Sequence, residues 1–176
     1  MIILIGMPCS GKSLYSNYIG SKFKIPFYDT DTIFYKKYKF KPIDFITKYG
    51  MGIYRKYEYY ILLEYIDKYI NKNVILATGG GIIEYYKSFE LMQKFYNNTI
   101  KNNPFINNII YLSLIFDEYK KRYNLRDTRL HYTNKQMENI YNSRITKFNK
   151  IYNIKLNTNN PKNINHNIFE ILTLLI

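Results

Sequence analysis

Residues 6–13 read GMPCSGKS and directly follow the apolar run IILI at residues 2–5. They match the pattern G-x-x-x-x-G-K-[ST], in which backbone N–H groups and the N-terminus of the next helix surround nucleotide phosphates. Gly6 lets the chain leave the strand sharply, and Gly11 brings the backbone close to phosphate oxygens, where a β-carbon would clash. An apolar strand before the loop and helical spacing after it are the context that this motif requires. The stretch therefore predicts a nucleoside triphosphate site in an α/β fold.

The motif also assigns roles to side chains. Lys12 is expected to neutralise the β- and γ-phosphate oxygens of ATP, and the Ser13 hydroxyl to bind Mg²⁺. The predicted ATP-binding residues of the loop are Gly6, Met7, Pro8, Cys9, Ser10, Gly11, Lys12, Ser13 and Leu14. One alternative is a strand-to-helix turn that matches by chance. A dinucleotide-binding loop is excluded, because the sequence has no G-x-G-x-x-G.

Length and composition limit the class of protein. The chain has 176 residues, enough for one domain with a buried core over residues 1–176. It has no apolar stretch approaching the roughly 20 residues that span a bilayer. A strand that begins at residue 2 leaves no room for a signal peptide, and a single cysteine fits a reducing compartment. We therefore expect a cytoplasmic protein that works as a monomer and does not associate with membranes.

The formal net charge of +13 suggests a nucleic-acid partner, but the composition favours another interpretation. The chain has 21 tyrosines, no tryptophan and many lysines and asparagines, as expected of drift towards AT-rich codons, and its lysines are scattered. We therefore expect no nucleic-acid partner. Arginine is rare by contrast, and its planar fork suits carboxylates and phosphates better than lysine does. The arginines are thus site candidates: Arg55, Arg122, Arg126, Arg129 and Arg144.

Strand-like and helix-like patterns alternate along the chain, which predicts an α/β fold with a parallel sheet. The predicted strands are residues 2–5, 26–28, 74–77, 108–112 and 151–156. The predicted helices are residues 12–22, 31–38, 43–49, 53–70, 84–97, 116–124, 134–150 and 164–174. In such sheets ligands bind at the carboxyl ends of the strands. After the first strand comes the phosphate loop, after the second Asp29-Thr30-Asp31, and after the third Gly79-Gly80-Gly81, so the three segments are expected at one rim.

The phosphate loop, this D-x-D and the stretch VILATGGG at residues 74–81 together resemble the shikimate kinase family, within the nucleoside-monophosphate-kinase-like group. In YRKYE, Arg55 and Glu58 match an arginine and a glutamate on the long helix of that family. This spacing puts both side chains on one helix face, so that Glu58 can orient the guanidinium. RDTRLHY at residues 126–132 is similar to a shortened lid segment, and RITKF matches the family's later arginine with Arg144.

The sequence departs from the family pattern at three places. Cys9 stands where glycine is common in the phosphate loop, and Leu130 stands where the lid usually has proline. The stretch YGMG at residues 49–52 lacks the usual glutamate before Arg55.

The resemblance implies a P-loop kinase fold with a five-stranded parallel sheet in the order 2-3-1-4-5, flanked by helices, and a mobile lid at about residues 124–134. It implies transfer of the γ-phosphoryl group of ATP to the 3-hydroxyl of shikimate, with Mg²⁺ held by Ser13 and Asp29. Lys12, Asp31 and Arg129 would be catalytic, with Asp31 orienting the attacking hydroxyl as its base. Arg126 and Arg129 would also contact ATP. The substrate-binding residues would be Asp31, Arg55, Gly79, Gly80, Gly81 and Arg144.

Other interpretations of these residues remain open at this point. The DTD stretch can be a polar cap that opens a helix, and the triple glycine can be a flexible turn. Arg144 can form a surface ion pair with Glu138, and Arg126 can be a solvated lid residue. The whole chain can be a gluconate-type kinase, or a nucleic-acid-binding protein on a decayed kinase fold, which would bind DNA or RNA without turning over ATP.

Overall fold

A computed structural model of the chain describes residues 1–102, 107–125 and 130–173. Within these residues, parallel strands form a five-stranded sheet in the order β2-β3-β1-β4-β5, which confirms the predicted order. The strands are β1 (Ile2–Ile5), β2 (Phe27–Asp29), β3 (Ile75–Ala77), β4 (Asn108–Ser113) and β5 (Ile154–Asn157). The helices are α1 (Lys12–Phe23), α2 (Thr30–Tyr38), α3 (Pro42–Tyr49), α4 (Met51–Tyr69), α5 (Tyr86–Asn102), α6 (Phe116–Asn124), α7 (Asn134–Phe148) and α8 (Ile164–Leu172).

The centre of the sheet is β1, which lies between β3 and β4 with Leu4 in register with Ala77 and Ile110. Every residue of β1 is buried, as expected of a strand covered by helices on both faces. Successive side chains of a strand point to opposite faces, so Ile3 and Ile5 belong to one core cluster and Ile2 and Leu4 to another. Burial on both sides fixes the position of the loop that follows β1.

A third apolar cluster lies beside the sheet, between α2, α3 and α4. Phe34, Phe45, Tyr54 and Ile61 are its buried members, and the Phe34 ring meets the rings of Phe45 and Tyr54 edge-on at 5.0 Å. Aromatic pairs in this geometry stabilise the fold beyond the burial of their surface. The cluster packs α4 against α2 and so sets the position of Arg55 relative to residues 29–31.

The predicted boundaries lie within two residues of the observed ones except at two places, the start of the last strand and the end of the helix predicted at 84–97, which runs to Asn102. The last strand begins at Ile154 and not at residue 151, because Ile151 is a buried turn residue whose N–H donates to the Phe148 carbonyl at 3.1 Å. The helix predicted at 84–97 is two elements, a 3-10 turn over Ile82–Glu84 and then α5, since Tyr85 is extended. In the described ranges, no helix combines the length and the apolarity needed to cross a membrane.

Candidate active site

The loops after β1, β2 and β3 meet at the carboxyl rim of the sheet, as predicted. Thr78 follows β3 directly. Its N–H donates to the Leu4 carbonyl oxygen at 3.1 Å, and its hydroxyl donates to the same oxygen at 3.0 Å. The next residue, Gly79, donates its N–H to Oγ1 of the buried Thr30 at 2.8 Å. These bonds hold the triple glycine against the segment that follows β2.

The phosphate loop has the backbone that its glycines predict. Gly6 has φ 148°, and a β-carbon there would lie 2.5 Å from the Leu112 carbonyl oxygen. Gly11 has φ 95° and precedes the first residue of α1. The buried Lys12 ammonium donates to the carbonyl oxygens of Gly6 at 2.9 Å and Met7 at 2.8 Å. The loop therefore carries its cation at the N-terminus of a helix, where anions are favoured.

Ser13 and Asp29, the two residues expected to hold Mg²⁺, are in direct contact. The Ser13 hydroxyl donates to Oδ2 of Asp29 at 2.5 Å. The other oxygen, Oδ1, caps α2 by accepting the N–H groups of Asp31 at 2.9 Å and Thr32 at 3.3 Å. The interpretation of Asp29 as a helix cap is therefore correct, and the cap fixes the carboxylate so that Oδ2 faces the phosphate loop. An adjacent hydroxyl and carboxylate fit an ion that keeps several waters and also binds phosphates.

Asp31 lies in the first turn of α2, next to a phenol from α4. The hydroxyl of Tyr54 donates to Oδ1 of Asp31 at 3.0 Å. The pKa of Tyr54 lies well above its usual value, first because the ring is buried and then because Glu58 and Asp31 are negatively charged. Tyr54 therefore stays protonated and acts as a fixed donor to this carboxylate.

The triple glycine makes close contacts on three sides. A β-carbon on Gly80 would lie 2.5 Å from Cδ and 2.6 Å from the nitrogen of Pro8, so this glycine touches the phosphate loop. A β-carbon on Gly79 would collide with Oε1 of Glu58, and one on Gly81 would collide with the guanidinium of Arg55. A flexible turn therefore does not fully explain the three glycines, because a side chain at any of these positions would collide with a neighbour.

Arg55 and Arg144 meet at a single carboxylate, that of Glu84. Arg55 donates Nε and Nη2 to Oε2 of Glu84 at 3.1 and 2.6 Å, and its Nη1 pairs with Glu58 as predicted. Arg144 donates its Nε–H to the other oxygen, Oε1, at 2.9 Å, and its Nη2 lies 2.8 Å from the same oxygen as an ion pair. Arg144 does not pair with Glu138, whose partner is Lys135, because Arg144 points into the protein and is 6% exposed.

The charges of this group support one another. Burial alone lowers the pKa of Arg55, but Glu58 and Glu84 outweigh that effect and hold the pKa above its usual value. Burial alone raises the pKa of Glu84, but Arg144 and Arg55 outweigh it and hold the pKa below its usual value. Arg55 and Glu84 therefore stay charged at neutral pH. At Glu58 burial outweighs Arg55 and raises the pKa of the carboxyl above its usual value.

Most of the predicted site residues come together. A cleft at the rim is lined by Pro8, Cys9, Gly11, Lys12, Ser13, Leu14, Asp29, Asp31, Thr78 and Gly80. Leu14 is 58% exposed at its edge. Arg122 is structural, since Nη2 bonds the carbonyls of Thr158 and Asn159 at 2.9 and 3.1 Å. Arg126 and Arg129 lie outside the described residues.

Sequence reasoning missed Tyr54 and Glu84. Tyr54 stands directly before Arg55, and nothing in its spacing distinguishes it from a core aromatic. Glu84 follows the triple glycine by three residues at the same rim, a signal that could have marked it as a site carboxylate. Its partners on α4 and α7 are distant in sequence, so no local pattern reveals them.

Comparison with known proteins decides the family. The shikimate kinase family model matches residues 8–173. A shikimate kinase of Staphylococcus aureus (strain JH9) is 35% identical over 153 residues, which cover 85% of this chain and 79% of that protein. The chain belongs to the shikimate kinase family. It is accordingly a nucleotide-dependent phosphotransferase that phosphorylates shikimate. The family assignment favours shikimate over gluconate as the substrate.

Solved structures of the family share the fold. Shikimate kinase from Aquifex aeolicus vf5 superposes with a TM-score of 0.77 at 25% identity, over 99% of this chain and 95% of that one. Shikimate kinase from Acinetobacter baumannii, solved in complex with shikimate, gives a TM-score of 0.80 at 19% identity, over 99% and 91% of the two chains. The family likeness therefore extends over the whole described architecture.

Proposed function

We propose that this chain transfers the γ-phosphoryl group of MgATP to the 3-hydroxyl of shikimate at the rim formed by residues 6–13, 29–31 and 79–81. The observation that carries the proposal is the short Ser13–Asp29 contact together with the Gly79–Thr30 hydrogen bond. Residues 29–31 thereby join the phosphate loop on one side to the triple glycine on the other. A nucleotide tail and a small hydroxylated substrate would meet across this segment.

In the proposed reaction the chain mainly positions the reactants and neutralises charge. The bond from the substrate oxygen to the γ-phosphorus forms while the bond from that phosphorus to the bridging oxygen of ADP breaks. Asp31, which the O–H of Tyr54 holds in place, takes the proton of the attacking hydroxyl. Lys12 leaves the carbonyls of its own loop to pair with β- and γ-phosphate oxygens. Mg²⁺, held by Ser13 and through water by Asp29, would neutralise phosphate charge.

Recognition of the substrate carboxylate is assigned to Arg55 and Arg144. Both guanidinium groups are buried, and each has two nitrogens within 3.1 Å of the Glu84 carboxylate in the structure. Such paired forks give short, charge-assisted hydrogen bonds with a fixed direction. The backbone of Gly79, Gly80 and Gly81 would lie against the ring of the substrate. Arg129 and Arg126, as lid residues, would complete the site over ATP.

The experiment is a coupled assay of ADP release with shikimate and, separately, with gluconate. We expect turnover with shikimate and none with gluconate, and turnover of gluconate alone would overturn the assignment. In Arg55→Lys the KM for shikimate should rise by about 10- to 100-fold with little change in the KM for ATP, because an ammonium offers no fork. An unchanged KM for shikimate would contradict the carboxylate role of Arg55.

The setting of the enzyme is also part of the proposal. The single cysteine of the sequence fits a reducing compartment, so we place the enzyme in the cytoplasm. One chain supplies the phosphate loop, residues 29–31, the triple glycine and both Arg55 and Arg144, so we propose a monomer. Sedimentation of the purified protein at micromolar concentration should give a mass near the 21.3 kDa of one chain.

A further inference from the structure

The carboxylate of Glu84 occupies both guanidinium forks that the proposed function gives to the substrate. Each of its oxygens receives the fork of one arginine, Oε2 that of Arg55 and Oε1 that of Arg144. This is the arrangement expected for a bound carboxylic acid held by two arginines. We propose that Glu84 is an internal competitor of the substrate, which holds both arginines in the carboxylate-binding arrangement and is displaced when the carboxylate of shikimate binds. The inference rests on the proposed function, because it takes Arg55 and Arg144 as the substrate clamp.

Charge balance favours exchange over joint binding. Arg55 and Arg144 face two carboxyl groups, Glu58 on Arg55 and Glu84 on both arginines. A substrate carboxylate added to this group would leave an extra negative charge beside two buried arginines, and beside Asp31 as well. Neighbouring carboxylates repel each other strongly where little water is present to screen their charges. If the charged Glu84 leaves as the substrate carboxylate enters, the net charge of the group does not change.

Burial decides which carboxylate leaves. The side chain of Glu58 is 2% exposed, whereas that of Glu84 is 31% exposed and so has a route to water. The two residues before Glu84, Ile82 and Ile83, are completely buried and anchor the backbone of the 3-10 turn. Displacement of Glu84 therefore needs only rotation of its side chain, with no movement of the main chain.

The glycine loop is shaped around the same contact. A β-carbon on Gly81 would collide with Nη2 of Arg55 and lie 2.8 Å from Oε2 of Glu84. Gly81 thus leaves room beside the backbone for a carboxylate on the Arg55 fork. The same space would admit the carboxylate of a substrate that lies against the triple glycine.

An internal ligand that competes for the site weakens the apparent affinity for the substrate, because only the fraction of protein with a free site can bind it. Replacing Glu84 with glutamine removes the charge but keeps the shape, so Glu84→Gln should bind shikimate roughly tenfold more tightly. The control ligand is the methyl ester of shikimate, which has no carboxylate to exchange. Its weaker binding should be the same in Glu84→Gln and in the unaltered protein. The control variant is Glu138→Gln, which removes an exposed Lys135 partner and should bind both ligands normally.

Isothermal titration calorimetry is the appropriate method, because the chain has no tryptophan to report binding by fluorescence. Weaker or unchanged shikimate binding in Glu84→Gln would overturn the proposal and make Glu84 a support for the arginines. Arg55→Lys and Arg144→Lys separate the two levels of the argument. If both bind shikimate normally, the clamp itself is wrong. If both weaken binding while Glu84→Gln does not tighten it, only the competitor role fails.

A second measurement needs no variant. In a crystal structure of the unaltered protein with shikimate, we expect the Glu84 carboxylate to have left both guanidinium groups and to face solvent. A structure in which Glu84 keeps both forks while shikimate is bound would overturn the proposal.

Discussion

The hydroxyl of Tyr54 donates a hydrogen bond to Oδ1 of Asp31 at 3.0 Å, and the ring of Tyr54 is 3% exposed. The relationship links the apolar cluster of α2, α3 and α4 to the carboxylate proposed as the base. Because the ring is fixed by Phe34 and Phe45, the donor cannot follow Asp31 if that side chain rotates. Tyr54 is therefore a positioning residue, which acts through Asp31.

Tyr54→Phe should keep the packing and remove only the donor. A hydrogen bond to a charged group contributes about 1.5–3 kcal/mol, so we expect kcat to fall by roughly tenfold or more while the KM for ATP stays constant. Tyr57→Phe, on the same helix, is the matched control. Steady-state kinetics of both variants against shikimate would make the comparison. Equal losses of kcat in the two variants would show that Tyr54 supports the fold and does not position Asp31.

Lys12 donates to two carbonyls of its own loop, at 2.9 and 2.8 Å, and is buried. Lys12→Ala removes the positive charge proposed to neutralise the β- and γ-phosphate oxygens, so we expect kcat to fall by about 10²- to 10³-fold. Binding of shikimate, which does not involve Lys12, should persist in calorimetry. Lys22→Ala, at the exposed end of α1, serves as the control. Retention of kcat in Lys12→Ala would contradict the phosphate role.

The sequence was sufficient to predict the segments that depend on local rules. Residues 2–5 are continuously apolar and the following loop needs glycine at residues 6 and 11, so both the central strand and the phosphate site could be recognised. The pairing of Arg55 with Glu58 was also predicted, because i,i+3 spacing puts both on one helix face. The alternative in which Arg144 pairs with Glu138 is wrong, because Arg144 pairs with Glu84.

The remaining contacts depend on how distant elements pack. Glu84 joins Arg55 on α4 to Arg144 on α7, and neither distance along the chain has a period that indicates contact. Glu138 was a reasonable local partner, but burial of Arg144 placed its guanidinium beyond reach of that helix face. The start of β5 was predicted too early for a similar reason. Ile151 is apolar as in a strand, but it fills the core from a turn.

Gly80 provides a test of the contact between the triple glycine and the phosphate loop. A β-carbon there would lie 2.5 Å from Cδ and 2.6 Å from the backbone nitrogen of Pro8, so Gly80→Ala must push the two loops apart. Overpacking of this kind costs about 1–3 kcal/mol of stability, and a displacement near 1 Å at a site lowers the rate by roughly 100-fold. We expect both effects in thermal unfolding and in kcat.

Gly52→Ala is the control for Gly80→Ala. Gly52 lies in α4, and a β-carbon there would have no neighbour within 4 Å among the described residues. Alanine favours a helix over glycine by about 0.5–1 kcal/mol, so this variant should be slightly more stable and fully active. Full activity in Gly80→Ala would show that the two loops do not need their close contact.

Glu84 also predicts how stability depends on pH. The pKa of Glu84 is depressed in the folded protein by Arg144 and Arg55, whereas the unfolded chain has a value of about 4.3. The stabilisation is therefore complete above the unfolded pKa and is lost as the pH falls through the folded one. At pH 7, Glu84→Gln should be less stable by about 2 kcal/mol, and this difference should shrink below pH 4. Urea unfolding at several pH values makes the measurement, and a difference independent of pH would contradict the assignment.

Cys9 should report nucleotide binding, because it is the one cysteine in the sequence and lies in the phosphate loop. It has φ 66°, is half-buried, and its Sγ lies 3.7 Å from the Arg122 carbonyl oxygen. A nucleotide whose phosphates lie in the loop should shield the thiol, so MgATP should slow alkylation by iodoacetamide by about tenfold or more, in proportion to the occupied fraction. Mass spectrometry counts the single adduct directly. Shikimate alone should give little protection, and equal labelling with and without MgATP would show that the nucleotide does not lie over Cys9.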